Sequence, residues 1–222
     1  MARRRTWWIA GGAVAVLAVG AVGGPLVYAA LEQDAPPAPT VQVQPEDAQL
    51  VEETDGSWQV AAGSSAGYRV HEVLNGADVT VAGTTEQVTG SIVIAGGDLT
   101  EAQVTVDVAG IATDSGRRDA YFRDTVMDVQ ANPTATFRVA GPVDLPELGG
   151  TPVTVPVAGE LTLAGRTNPV QVELAVVRTD AGVDVSGSVP VVFGDYGVQA
   201  PSLGFVRVDD DGAVEFLLHL TQ

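Results

Sequence analysis

The sequence predicts an all-β fold in which antiparallel strands form a barrel with one short helical excursion. Long stretches alternate apolar and polar residues with a period of two, which is typical of strands that bury one face. Short glycine- and aspartate-rich sequences separate these stretches and indicate tight turns. The clearest alternating runs are 104–109, 153–158, 170–176, 183–189 and 214–221.

The turn sequences set the topology. They lie at 75–76, 96–98, 149–150, 180–182 and 211–212. This spacing is too short for crossover helices, so the strands are expected to be antiparallel, in a sandwich or a barrel. Gly90 and Gly159 lie inside strand-like segments, where glycine often marks a bulge or bend. Barrels need such bends to close, so these glycines favour a barrel.

Two segments depart from the strand pattern. Residues 115–129 are expected to be helical, because they begin at a Ser or Asp cap and end before Asn132-Pro133. Asp209, Asp210 and Asp211 precede Gly212. They lack the alternating ligands of a calcium loop, and a turn is the favoured interpretation.

Composition excludes several functions. The chain has 222 residues, with 28 acidic residues, 11 arginines, no lysine and a net charge of −17. Such a surface repels phosphate backbones, so no nucleic-acid partner is expected. Cysteine is absent, which excludes disulfides, thiolate metal sites, cysteine nucleophiles and lipid-modified cysteines.

The N-terminal residues 1–31 predict an export or anchor helix. Three arginines, Arg3 to Arg5, precede an uncharged run that ends at Leu31 and is long enough to span a bilayer. The run is either an uncleaved transmembrane anchor, which is favoured, or a signal peptide cleaved after Val27-Tyr28-Ala29. In the first case the protein lies in the cell membrane with its domain outside the cytoplasm. In the second it is secreted or periplasmic.

Two further segments follow this helix. Residues 32–56 are rich in proline and acidic residues and predict a stiff linker that holds a domain away from the membrane. Residues 57–222 form the predicted β domain.

Candidate catalytic groups are few. Gly63-Ser64-Ser65-Ala66-Gly67 fits the G-x-S-x-G nucleophile pattern, but a strand-like segment follows it where the motif requires a helix. His71 and His219 are the only histidines, and they show no metal-ligand spacing. A flexible turn and structural histidines are therefore favoured over a hydrolase or a metal site.

Three segments of the chain carry a family pattern. Residues 57–60 read Ser-Trp-Gln-Val. Residues 111–123 and 132–137 contain a Thr, then Arg-Asp, then an aromatic and Arg, then Pro-Thr-x-x-Phe. Residues 157–170 contain Gly-x-Leu-Thr-x-x-Gly-x-Thr-x-Pro-Val. The chain from Ser57 to Gln222 resembles the YceI family on these segments.

The resemblance implies a lipocalin-like barrel with an elongated apolar interior that holds a polyisoprenoid or a similar lipid. It also implies an exported binding protein with no catalytic residues and no cofactor apart from such a lipid. Two segments depart from the family. Residues 68–76 read Tyr-Arg-Val-His-Glu-Val-Leu-Asn-Gly where many members have Phe-x-Val-x-His. Residues 192–197 keep Asp, an aromatic and Gly but lack the arginine of Arg-x-Asp-Phe-Gly.

The predicted ligand-binding residues are one arginine and a group of aromatic residues. Arg118 lies among Arg117, Asp119 and Arg123. Arg118 is expected either to bind the head group of a ligand or to pair with carboxylates that fix the helix. The second interpretation is favoured. The aromatic side chains either line a cavity or fill the core: Tyr121, Phe122, Phe137, Phe193, Tyr196 and Phe205.

The predicted function is extracytoplasmic lipid binding, with the membrane as a second partner through the N-terminal helix. A non-binding module of the cell envelope is the alternative, and an enzyme acting on a bound lipid is less favoured. No metal is expected, and the sequence predicts no oligomeric state.

Overall fold

The computed structural model describes residues 34–74, 76–202, 204 and 206–222. The predicted anchor at 1–31 lies outside them, and none of their helices has the length and hydropathy of a membrane span. The described residues form eleven strands: β1 (Gly56–Val60), β2 (Ser65–Leu74), β3 (Ala77–Thr85), β4 (Val88–Ala95), β5 (Asp98–Asp107), β6 (Thr134–Val139), β7 (Val143–Asp144), β8 (Val153–Leu163), β9 (Arg166–Arg178), β10 (Val183–Val192) and β11 (Val206–Thr221).

The predicted antiparallel barrel is confirmed. Strands β1, β4, β5, β6, β8, β9, β10 and β11 pair in that order, and β11 pairs again with β1 to close an eight-stranded ring. Strand β2 continues the line of β1 along β11, and β3 pairs with β2. The ring therefore has no free edge where β11 and β1 pair. The β2–β3 hairpin extends one wall beyond the ring.

The predicted helical excursion is also present, over a shorter range. Helix α1 (Gly116–Tyr121) begins after Ser115 and continues as a π-helical turn (Phe122–Val126). Short 3₁₀ turns at Val108–Gly110 and Phe193–Tyr196 complete the described helical structure.

The strands have no bulge at Gly90 or Gly159, where the sequence predicts a bulge or a bend. Pairing is regular at both glycines, and register shifts occur instead between Val93 and Ile94 and between Val208 and Gly212. A Cβ on Gly159 would lie 2.4 Å from the ring of Phe137. This glycine therefore makes room for an aromatic ring.

The acidic segment before Gly212 is not a turn between strands. Strand β11 runs through it, because β2 pairs with Val208 on one side and with Gly212 on the other. Three aspartates project from the resulting bulge and are exposed. A bulge keeps the strand continuous while leaving their charges in water.

The two ends of the barrel differ. The turns after β4 and β9 lie at one end, which is the closed end. The segment between β6 and β8 also lies there and contributes the buried side chain of Leu148 to the core. Trp58 of β1 is 2% exposed in the same core. At the opposite end, called the mouth below, the β2–β3 hairpin, α1 and residues 193–201 surround an open space.

Residues 34–55 form a strap on the outside of the barrel. The sequence predicts an extended spacer here, but the structure lays this segment along the wall because its backbone finds partners on several strands. The strap runs from β3 near the mouth to the turns at the closed end. Its hydrogen bonds join Asp34 and Ala35 to Thr80, Pro36 to Arg69, Val41 to Ser186, Val51 to Thr179, and Asp55 to Gly96 and Gly97.

Candidate ligand-binding site

A narrow channel lies inside the barrel. Its volume is about 120 Å³, and apart from Thr136 its lining residues are Ala, Val, Ile, Leu and Phe. This apolar lining follows from the alternation of apolar and polar residues, because the apolar face of every strand of the ring points inward. Phe137 of β6 lies in its wall. Water gains no hydrogen bonds from such walls, so the channel favours hydrocarbon.

A larger chamber occupies the mouth. Its volume is about 940 Å³, near the upper end of the usual range for ligand pockets. Its walls come from β2, β3, α1, residues 193–201 and β11. Channel and chamber meet, because both are lined by Ala66, Val106, Ala135 and Val214.

Charged side chains of the chamber gather where β2 faces α1. Glu72 projects from β2 and is 7% exposed. Its Oε1 lies 3.7 Å from Nη2 of Arg118, and Nη1 of the same guanidinium lies 2.5 Å from Oδ1 of Asp114. Arg118 thus bridges two carboxylates, one buried and one exposed, and ties the helix to the barrel wall.

The start of the helix is fixed by a second carboxylate contact. Asp119 is buried, and its Oδ1 accepts hydrogen bonds from the backbone N–H of Thr113 at 2.9 Å and from its hydroxyl at 2.7 Å. These bonds join α1 to the segment that precedes it. The helix that carries Arg118 is therefore held in place at its first turn.

Tyr68 joins the polar cluster to the apolar wall. Its ring stacks on Phe122, with centroids 4.8 Å apart. Burial raises the pKa of the Tyr68 hydroxyl to about 12, and the nearby carboxylates of Asp119, Glu72 and Asp114 add to this while Arg118 opposes it. The hydroxyl therefore stays protonated at neutral pH and offers a hydrogen-bond donor to the chamber.

The opposite wall carries Phe193 and Tyr196. Tyr196 is buried, and burial raises the pKa of its hydroxyl; a hydrogen bond with Asn168 opposes this rise, and the charge of Asp195 adds to it. Asn168 also donates to the carbonyl of Asp195 at 3.1 Å, which fixes the 3₁₀ turn against β9. This wall therefore offers a neutral hydroxyl and the amide of Gln199 among apolar side chains.

The structure gathers most of the predicted ligand-binding residues. Five line the chamber: Arg118, Tyr121, Phe122, Phe193 and Tyr196. Phe137 lies in the channel instead, and Phe205 is outside the described residues. Their contact with a ligand stays a prediction.

Sequence reasoning missed Tyr68 and Glu72, both of which line the chamber. The period-two pattern contained the signal, because Tyr68, Val70 and Glu72 share the inward face of β2 while His71 points outward. Glu72, rather than His71, therefore occupies the histidine position of the Phe-x-Val-x-His pattern.

The candidate nucleophile and histidines do not form a catalytic site. Ser65 and His71 are six residues apart on one strand, which is about 20 Å. His71 contacts Thr80, with 3.1 Å between Nδ1 and Oγ1, and the ring of His219 contacts Asp184. Ser64 bonds to the backbone of His219 and not to its ring.

A closed antiparallel barrel with an apolar channel and a helix at its mouth defines the protein as a lipocalin-like barrel. The particular family follows from its sequence. The family model described as YceI-like domain matches residues 58–220, and the chain belongs to this family. No curated protein matches the chain.

Solved structures support the same fold. A polyisoprenoid binding domain from Saccharophagus degradans, implicated in plant cell wall breakdown, is 18% identical with a TM-score of 0.58, over 74% of this chain and 97% of that one. BcnA from Burkholderia cenocepacia is 19% identical with a TM-score of 0.55, over 70% of this chain and 96% of that one.

Proposed function

We propose that this protein binds a long-chain lipid of the polyisoprenoid type outside the cytoplasm, by burial and without chemistry on the lipid. The observation that carries the proposal is the apolar channel opening into a chamber with a polar cluster at its mouth. A lipid with a long tail and a small head group has the same distribution of polarity. The Saccharophagus degradans domain, named for polyisoprenoid binding, supports this ligand class.

Tail burial supplies the affinity. Each methylene removed from water contributes about 0.8 kcal/mol, so a dozen buried carbons contribute about 10 kcal/mol against the entropy lost on binding. The channel is narrow and the chamber is wide. A flexible tail can enter both, and the head group then remains near the mouth.

The sequence of residues 1–31 supports a location outside the cytoplasm, with an anchor in the membrane. The strap begins at Asp34, three residues after this apolar run, and its first hydrogen bonds are to Thr80 on the hairpin that borders the mouth. An anchored chain would therefore hold the mouth close to a bilayer, where its lipid dissolves.

Lipid extraction tests the proposal. The full-length chain is purified, extracted with organic solvent and analysed by mass spectrometry, and we expect a stoichiometric long-chain lipid. Ala135→Phe places a ring where channel and chamber meet and should reduce recovery at least tenfold. Ala158→Phe is the matched control, because Ala158 is exposed on β8.

Absence of lipid from the wild-type chain, even after incubation with polyprenols, would contradict lipid binding. The second informative result is equal recovery from both variants, which would contradict a tail that passes between chamber and channel. The first would favour the alternative of a non-binding envelope module. Thermal unfolding of both variants shows whether a lower recovery reflects blocking of the channel or loss of the fold.

A further inference from the structure

The charged side chains of the chamber affect which lipid head group it can bind. In its described wall the ionised groups are Glu72, Asp114, Arg117 and Arg118. The buried carboxylate of Asp119 lies directly behind them, bonded to Thr113. Three carboxylates therefore face two guanidinium groups, and the cluster as a whole is negative.

The arginine best placed to bind an anion is already occupied. Arg118 contacts Asp114 through Nη1 and Glu72 through Nη2. A phosphate on Arg118 would displace these carboxylates or lie within a few ångströms of them. Repulsion between like charges at such distances is strong where water is scarce, and Glu72 is 7% exposed.

Arg117 does not reverse this balance. Its side chain borders the chamber but is exposed, so water and salt screen its charge. The remaining polar groups of the described wall suit a neutral partner. Tyr68 keeps its proton and can donate, whereas the oxygens of Glu72 and Asp114 accept hydrogen bonds.

We propose that the Glu72–Arg118–Asp114 cluster selects lipids with an uncharged, hydrogen-bonding head group, such as an alcohol, an amide or a quinone, and rejects prenyl phosphates and fatty acids. The inference rests on the proposed function, because it concerns the head of the lipid whose tail fills the barrel. The three side chains distinguish one lipid head group from another, which the apolar channel cannot do.

The test uses two probes with the same tail, geranylgeraniol and geranylgeranyl diphosphate. The full-length chain is delipidated, kept in solution by an amphipathic polymer, and loaded with a fluorescent alkyl probe. Each lipid is then titrated in, with empty polymer as the blank. The alcohol should displace the probe at a concentration at least tenfold lower than the diphosphate.

The double variant Glu72→Gln/Asp114→Asn removes both carboxylates from Arg118 with little change in shape. It should improve displacement by the diphosphate, measured relative to displacement by the alcohol, at least tenfold. The control Glu101→Gln/Glu173→Gln removes the same charge from exposed positions on β5 and β9. It should leave the preference unchanged, which separates local repulsion from the net charge of the protein.

The outcomes are distinct. A diphosphate that displaces the probe as well as the alcohol does would overturn the head-group inference alone, as would an unchanged preference in the Glu72→Gln/Asp114→Asn variant. A wild-type chain whose probe is displaced by neither lipid would instead contradict the proposed function. Circular dichroism of each variant confirms that the barrel is intact.

Discussion

The ring of Tyr68 on β2 stacks on the ring of Phe122 at the end of α1, with planes inclined by 25°. This contact and the Glu72–Arg118 pair both join the hairpin wall to the helix. In the described part of the chain, the outer edge of the hairpin has backbone partners at Thr80, bonded to Ala35 of the strap, and at Thr84, bridged to Ala112. The aromatic pair therefore adds a side-chain contact between hairpin and helix to these backbone bonds.

Removing this ring should destabilise the mouth. Phe122→Ala is expected to cost about 2–4 kcal/mol of unfolding free energy, of which about 1 kcal/mol is the stacking with Tyr68. Denaturant unfolding of Phe122→Ala, Tyr68→Ala and the double variant gives the coupling energy. Tyr121→Ala is the control, because this neighbouring ring is 38% exposed, and it should change stability by less than about 1 kcal/mol. Additive effects of the two single variants would contradict the stacking contribution.

Gly159 should tolerate no side chain. Its Cβ position lies 2.4 Å from the Phe137 ring and 2.6 Å from the carbonyl oxygen of Arg138. Gly159→Ala is therefore expected to lower the unfolding free energy by about 1–3 kcal/mol. Gly141→Ala, where a Cβ meets nothing within 4 Å, should change it by less than about 0.5 kcal/mol. Equal thermal midpoints for the two variants would show that the Phe137 ring shifts freely.

The side chain of Val41 should help to hold the strap against the barrel. Val41 is 8% exposed, whereas Val43, two residues later, is 67% exposed. Val41→Ala is expected to increase amide hydrogen exchange across residues 34–55 severalfold, because the strap opens locally before the barrel unfolds. Val43→Ala should leave exchange unchanged. Fast exchange of the strap in the wild-type chain would contradict its docking.

Stability should fall at high pH because of Tyr68. Its pKa of about 12 in the folded protein exceeds the ordinary value of 10.0, so the folded state holds this proton more tightly than the unfolded state. The resulting stability is fully present below pH 10 and is lost as the pH rises towards about 12, a change of about 2 kcal/mol. Urea unfolding of the wild-type chain and Tyr68→Phe at several pH values measures it. The variant should lose less stability over this range, and parallel curves would contradict the assignment.

The sequence by itself determined the antiparallel strands, most of the turns between them and the helical excursion. Strand periodicity and glycine-rich turns are local properties, so an alternating run such as 170–176 predicts both the strand and which of its faces points inward. The apolar channel follows from the same alternation. The family pattern in residues 111–123 and 157–170 added the closed, lipocalin-like form.

Only the tertiary structure decided the site at the mouth. Glu72 and Asp114 are 42 positions apart, and Arg118 bridges them because the hairpin and the helix meet across the barrel. The composition of the strap predicts a spacer, whereas the partners that hold it lie on strands far along the chain. The acidic residues before Gly212 predict a turn, whereas the pairing with β2 that carries β11 through them is not local. Long-range pairing decides such features, and local sequence patterns do not record it.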